Sequence, residues 1–185
     1  MSRIPLPTPE TMTADQRRVY DKVVAGRRGT MQGPLLAALH NPELADRWQA
    51  LGALLRYETS IPARLSEVAI LVTAQRWASQ VEWSIHAPIA RAAGVEDDWI
   101  DALRRGERPV GADAEILEVR DFAYELQAGG QVSDATYAVV LARWSAVGVV
   151  ELAAIIGYYT LVAMTLNVHQ IPVPPGVAPD LGTEP

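Results

Sequence analysis

Residues 61–72 read IPARLSEVAILV and predict a helix that is apolar on nearly every side. Pro62 suits the first turn of that helix, where a missing backbone N–H costs no hydrogen bond. The residues from Val68 to Val72 are all apolar, so this part of the helix has no polar face for water. A helix with this pattern is normally buried, and we therefore expect it at the centre of the molecule.

Further helices are predicted on both sides of the central one. Apolar side chains recur at helical spacing over residues 13–26 and 112–128. A helix is expected from Ser133 to about Trp144, followed by a long apolar helix to about His169. No run of alternating residues bounded by turn signals predicts a strand. The sequence therefore predicts an all-α fold.

Length and composition predict that residues 1–185 form a single domain, a bundle of about seven or eight helices. The proline-rich ends, 1–12 and 172–185, are expected to be extended, because proline cannot continue a helix. The chain has no cysteine, which excludes disulfides, thiol nucleophiles and thiolate metal sites. Its three histidines leave little room for a multi-histidine metal centre, and we expect no metal.

The charge distribution argues against a nucleic-acid partner. The net charge is −6, whereas a surface for nucleic acid needs clustered positive charge. Residues 1–92 carry 11 basic and 8 acidic side chains, and residues 93–185 carry 5 and 14. We interpret the acidic excess of the second half as solvated helix faces.

Two features bear on localisation. The N-terminus lacks the apolar segment of a signal peptide. Residues 152–168 are 17 residues without a charge, about 26 Å of helix, which falls short of a comfortable membrane span. Polar side chains such as Tyr158 and Tyr159 interrupt that stretch. We expect a helix buried in a core or subunit interface, no membrane partner, and a cytoplasmic protein.

The residue types suited to chemistry lie just after the central helix. Glu82 and His86 are four residues apart, so on a helix they share a face and can form a hydrogen bond. A carboxylate beside an imidazole fixes the tautomer of the ring and favours its charged form, which suits proton transfer. Arg76 could hold a carboxylate with two hydrogen bonds, and Trp77 and Trp83 could wall an apolar pocket.

Spacing alone leaves a simpler interpretation open. A glutamate and a histidine four apart are also typical of a weak pair on a helix surface, and tryptophans on a central helix are typical of a core. By spacing alone, the sequence predicts a soluble helical domain and no particular reaction.

The same stretch resembles the carboxymuconolactone decarboxylase family, which includes the alkylhydroperoxidase D-like proteins. The resemblance runs from the central helix to residues 86–94, HAPIARAAG, and includes residues 158–167, YYTLVAMTLN, followed by the IPVP of residues 171–174. It implies an alkylhydroperoxidase D-like helical bundle and a homo-oligomer, a trimer or a hexamer.

One departure from the family pattern bears on the reaction. The peroxidase-like branch has a glutamate, then CxxC, then a histidine four residues after the second cysteine. Counting back from His86 places the cysteines at Ser79 and Glu82 and the glutamate at Glu67. Both cysteines are missing, so thiol-based peroxide reduction is excluded. The chain instead resembles the decarboxylase-like branch, which lacks the redox pair.

That branch implies a cofactor-free lyase acting on a small carboxylated lactone or a related product of aromatic ring cleavage. His86 is the candidate for proton transfer, Glu82 is expected to orient it, and Glu67 is a possible second acid or base. The residues expected to bind the substrate, a small carboxylate or lactone, are Arg76, Ser79, Trp83, Asn167 and His169.

Two other functions stay open. A Glu–His pair can also activate water, so the same pocket could hydrolyse or isomerise a lactone. The protein could also be a catalytically silent oligomer that binds a small ligand, because a fold does not fix a function. A lyase requires Glu82 and His86 to face one enclosed pocket with a cation at hand. A silent protein predicts that His86 is exposed, or packed in the core with no pocket beside it.

Overall fold

The computed structural model describes residues 2–177 and 180–181, and these residues form eight helices and no strand. The all-α prediction and its helix count are therefore confirmed. In chain order the helices are α1 (Ala14–Ala25), α2 (Gly33–Ala38), α3 (Pro42–Tyr57), α4 (Ala63–Arg76), α5 (Gln80–Ala92), α6 (Asp97–Arg104), α7 (Ala114–Gly129) and α8 (Asp134–Val168).

Helix α4 is the central element. It packs against α3, α5, α6, α7 and α8, and every residue from Leu65 to Ala74 is buried. Burying polar groups on such a helix costs free energy unless they find partners. The Thr73 hydroxyl donates to the Ala69 carbonyl at 2.9 Å, and Glu67 finds a partner on α5. The sequence prediction of a buried central helix is correct.

A tight reversal joins α4 to α5. Ala78 adopts a left-handed conformation with φ 47°, and the Ser79 N–H donates to the Ala74 carbonyl at 2.8 Å. The Trp77 indole N–H donates to the Gln127 side-chain oxygen at 3.0 Å, which ties the turn to α7. The reversal lays α5 back along α4, so side chains far apart in sequence meet between the two helices.

Helix α8 is long but interrupted. Ser145 has φ 60° and ψ −177°, which is not helical, so the chain changes direction there. The sequence indicates the same division, with one helix to about Trp144 and a longer apolar helix after it. By length and composition α8 could cross a membrane, and only 33% of its most apolar 18-residue stretch is buried.

The two ends of the chain lie against the helices. The Arg3 N–H donates to the His169 carbonyl at 2.8 Å, and residues 2–12 and 172–177 contain no helix, as predicted. Near the C-terminus, the Leu181 N–H donates to the Gln80 side-chain oxygen at 3.0 Å. The predicted extended ends also include positions 1, 178–179 and 182–185, which lie outside the described residues, so the predicted domain bounds stay a prediction.

Gly52 of α3 allows close packing against α8. A Cβ atom at Gly52 would lie 2.0 Å from the Tyr158 hydroxyl oxygen and 2.5 Å from its Cζ atom. We therefore expect Gly52→Ala to displace the Tyr158 ring and to lower the free energy of unfolding by about 1–3 kcal/mol, measured by chemical denaturation. Gly129→Ala is the control, because no atom lies within 4 Å of its Cβ position. Equal stability of the two variants would contradict this packing.

Candidate active site

A cavity of about 270 Å³ lies beside α5 and α8. On α5, positions 82, 85 and 86 share one helix face because they are three and four residues apart, and all three side chains line the cavity. The polar and aromatic residues that line it are Arg28, Thr30, Gln32, Arg56, Tyr57, Glu82, His86, Tyr158 and Tyr159. The cavity is therefore built by α5, α8, the end of α3, the segment after α1 and the start of α2.

The first contact that defines the site joins α4 to α5. His86 Nδ1 donates to Glu67 Oε2 at 2.7 Å, and both side chains are buried. The prediction that Glu82 orients His86 is therefore wrong about the partner. Glu67 and His86 are 19 residues apart, and the reversal at Ala78 brings them together. Since Nδ1 is bonded to Glu67, the ring presents Nε2 to a ligand.

The imidazole is also held by an aromatic contact from α8. The rings of His86 and Tyr159 meet edge to face, with centroids 4.9 Å apart. Tyr159 in turn contacts Tyr158 at 5.3 Å between centroids. Burial raises the pKa of the Tyr159 hydroxyl above its ordinary value, so this phenol stays protonated at neutral pH. The His86 ring is thus fixed in place from two sides.

Glu82 is a buried carboxyl without a hydrogen-bond partner. Its side chain is 1% exposed, and neither carboxyl oxygen is hydrogen-bonded among the described residues. Burial raises the pKa of Glu82 well above its ordinary value, and the nearby charge of Glu67 acts in the same direction. The Ser79 hydroxyl opposes that shift, although it does not reach hydrogen-bonding geometry. The raised pKa favours the neutral form of the Glu82 carboxyl in the cavity wall, which suits a proton donor.

Two arginines line the cavity where the sequence analysis expected Arg76. Arg28 lies between α1 and α2, and Arg56 lies in the last turn of α3. Arg76 is exposed in the last turn of α4, beyond the buried run that ends at Ala74, and it does not line the cavity. The cations that could meet a ligand here are Arg28 and Arg56.

The chain is similar to known proteins over this site. Residues 42–125, a little under half of the chain, match the model of the carboxymuconolactone decarboxylase family. Through these residues, the chain is similar to the carboxymuconolactone decarboxylase family. The matched segment includes Glu67, Glu82, His86 and Arg56, which are four of the residues that form the site.

The similarity of fold extends over nearly the whole chain. A crystal structure of the alkylhydroperoxidase AhpD core of an uncharacterized peroxidase-related protein from Ralstonia eutropha JMP134 is similar, with a TM-score of 0.77. The two proteins are 16% identical, and the match covers 94% of this chain and 93% of the other. At that identity the likeness shows the fold alone. No curated protein sequence matches this chain.

Several residues that the sequence led us to expect at the substrate lie away from the cavity lining. Trp83 follows Glu82 and faces another side of α5, where its indole N–H donates to Asp180 at 3.2 Å. Asn167 is exposed and donates to the Trp77 carbonyl at 2.6 Å. Ser79 is buried in the α4–α5 turn, and His169 caps the end of α8. None of the four lines the cavity.

Neither the two cavity arginines, Arg28 and Arg56, nor the role of two tyrosines was predicted from the sequence. Tyr158 and Tyr159 stand out in an otherwise apolar helix, and this signal could have placed them at a polar site. No spacing relates Arg28 to His86, because their proximity arises only from tertiary packing. Among the described residues no group of three or more His, Asp or Glu could hold a metal ion.

The buried carboxyl predicts a pH-dependent gain in stability for Glu82→Gln. Because the pKa of Glu82 is raised by folding, wild type loses stability as pH rises from about 4.5 to the folded pKa, by about 1.4 kcal/mol per pH unit. Glutamine stays neutral and avoids this loss. The variant should therefore gain relative stability as pH rises, measured by urea denaturation at several pH values. The control Glu58→Gln changes an exposed glutamate, and a similar gain there would refute the explanation.

Proposed function

We propose that this protein is a cofactor-free lyase that removes CO₂ from a small carboxylated lactone or a related product of aromatic ring cleavage. One observation carries the proposal: a buried, unpartnered Glu82 carboxyl shares a cavity with His86, and His86 is held by Glu67. The match of residues 42–125 to the carboxymuconolactone decarboxylase family supports it at the level of the family only.

Such a reaction needs a proton donor, and the site contains a carboxyl group suited to that role. When the C–C bond to the leaving carboxylate breaks, its electron pair passes into the adjacent unsaturated system, and CO₂ departs. A proton must then be added at the far carbon of that system. We assign this delivery to Glu82, because its raised pKa favours the protonated carboxyl. His86 then passes a proton from solvent to Glu82, with Glu67 fixing the ring.

The size of the cavity supports a small substrate. A volume of about 270 Å³ lies just below the usual range of small-molecule pockets, about 300–1,000 Å³. A single small ring with short substituents fits that space. The wall also contains Ile85, Val162 and Leu166, which suit the apolar part of a ring.

The structure bears on the two rival functions in different ways. A silent binding protein predicts no pocket beside His86, whereas His86 lines a cavity together with Glu82. A lactone hydrolase or isomerase would use the same acid and imidazole, so it is the alternative that analysis of the products must separate. Thiol peroxidase chemistry has no support, because the chain has no cysteine.

The test is turnover of enzymatically generated 4-carboxymuconolactone, followed by ultraviolet absorbance. We expect Glu82→Gln and His86→Gln each to reduce kcat by about 10²–10⁴-fold, the usual contribution of a general acid or base. Glu67→Gln should also reduce kcat, because His86 loses its fixed orientation. Glu58→Gln is the control and should match wild type, since Glu58 is exposed.

The pH profile of kcat tests the role of Glu82. Wild-type kcat should fall at alkaline pH as Glu82 loses its proton. The pH at the midpoint of this fall should lie well above the ordinary pKa of a glutamate. Circular dichroism checks that each variant is folded. Full activity in Glu82→Gln, or a ring-opened product that retains every carboxylate, would overturn the lyase proposal.

A further inference from the structure

We propose that Asp180 and Leu181 bind the first turn of α5 and thereby hold Glu82 in the cavity wall. We name these two residues the C-terminal clasp, and Gln80 and Trp83, which contact them, are positioning residues for Glu82. The inference rests on the proposed function only for its effect on turnover. It is carried by the contacts of the clasp and by the way in which α5 begins.

Leu181 is bound to α5 through its backbone. The Leu181 N–H donates to Gln80 Oε1 at 3.0 Å, and Gln80 Nε2 donates to the Leu181 carbonyl. A side-chain amide that pairs with both backbone groups of one residue fixes the orientation of that residue. The Leu181 side chain is also 6% exposed and packs in the hydrophobic core. Backbone pairing and side-chain burial therefore hold Leu181 at the start of α5.

Asp180 joins α5 to α6. The Trp83 indole N–H donates to Asp180 Oδ2 at 3.2 Å, and Asp180 Oδ1 lies 3.9 Å from Arg104 Nη1 on α6. An indole N–H can only donate, and leaving it buried without an acceptor would cost free energy. Trp83 is 1% exposed, so Asp180 satisfies a donor that water reaches poorly.

The clasp and the cavity contact different sides of the same turn of α5. Positions 80 and 83 are three residues apart and share one side of the helix. Positions 82, 85 and 86 form the side that lines the cavity. The clasp therefore fixes the turn that carries Glu82 without contacting a ligand in the cavity.

The first turn of α5 has no side-chain cap of its own. Residues 79–82, SQVE, match the pattern of a capping box, in which Ser79 would accept from the N–H of residue 82 and Glu82 from the N–H of residue 79. Neither bond is made, because the Ser79 N–H donates to the Ala74 carbonyl and the side-chain oxygens of Ser79 and Glu82 have no hydrogen-bond partner among the described residues. The local sequence thus favours another position for the Glu82 carboxyl, and contacts from outside α5 are needed to keep it in the cavity wall.

The clasp acts on Glu82 by excluding water. Burial is the largest cause of the raised pKa of Glu82. Gln80 is uncharged, so losing its bonds to Leu181 admits water to the turn without removing a charge. The ionisable groups around Glu82 come from other contacts and stay in place: Glu67 on α4, His86 on α5, Tyr158 and Tyr159 on α8, Arg56 on α3 and Arg28 after α1, while Arg104 on α6 contacts Asp180.

The first test measures the pH dependence of stability in the full chain. Gln80→Met removes both hydrogen bonds to Leu181 at nearly constant side-chain size. In wild type, the stability lost as Glu82 ionises stops falling at the folded pKa of this group. We expect the loss to end about one pH unit lower in the variant, a fraction of the shift that full burial produces. Urea denaturation at several pH values measures this limit. Gln131→Met is the matched control, since Gln131 is exposed between α7 and α8.

Asp180 supplies two further variants at an exposed position, where a substitution leaves the core intact. Asp180→Ala removes the acceptor of the Trp83 indole N–H and should shift the pH limit in the same direction as Gln80→Met. Asp180→Asn keeps a side-chain oxygen that can accept this bond, so it should restore the wild-type limit. Hydrogen exchange of the amides of residues 79–86 should likewise be faster in Asp180→Ala than in Asp180→Asn.

Turnover of 4-carboxymuconolactone gives the catalytic readout. If Glu82 delivers the proton, Gln80→Met and Asp180→Ala should move the alkaline fall of kcat to lower pH by the same amount as the limit of the stability loss. KM should change little, because neither Gln80 nor Asp180 lines the cavity. Asp180→Asn and Gln131→Met should keep the wild-type profile.

Unchanged pH dependence of stability in both Gln80→Met and Asp180→Ala would overturn the proposal. A contact with a structural role alone would lower stability equally at every pH. Equal shifts in Asp180→Ala and Asp180→Asn would also contradict it, because the hydrogen bond from Trp83 would then have no part in the effect. If the lactone is not turned over but the pH limit moves as expected, the proposed reaction is wrong and the clasp stands.

Discussion

The hydrogen bond from His86 to Glu67 is the contact on which the site depends. It is buried, it joins α4 to α5, and it fixes both the position and the tautomer of the imidazole. The same packing that brings Glu67 to His86 also encloses Glu82, one turn earlier on α5, and removes water from its carboxyl. One reversal of the chain thus creates an oriented base and a neutral acid beside the same cavity.

The periodicity of apolar residues predicted the helices well, whereas the contacts within the site could be identified only from the tertiary structure. The placement of Glu82 and His86 on one face follows from helical spacing. The partner of His86 does not, because Glu67 reaches it only through the reversal at Ala78. Proximity in sequence favoured Arg76 as the cation that lines the cavity. Arg76 is exposed in the last turn of α4, and Arg28, from the segment after α1, lines the cavity because of tertiary packing.

The cavity combines two parts of the chain. The residues to which we assign proton transfer, Glu67, Glu82 and His86, lie within the segment that matches the carboxymuconolactone decarboxylase family. Arg28 and Tyr158 line the same cavity but lie outside that segment. A change of ligand could therefore arise from changes in the segment after α1 or in α8, without disturbing the acid–base groups held between α4 and α5.

Because the turn between α4 and α5 contains no cysteine, the proposed site would be regenerated after each catalytic turnover without a redox step. A thiol catalyst emerges from its reaction oxidised and depends on an electron donor to return to its starting form. Here Ser79 and Glu82 stand where the peroxidase-like branch has its two cysteines, and neither side chain changes oxidation state. An acid–base site is restored by exchange with water alone. Under the proposed function, turnover therefore requires no reducing partner protein and does not depend on the redox potential of the surroundings.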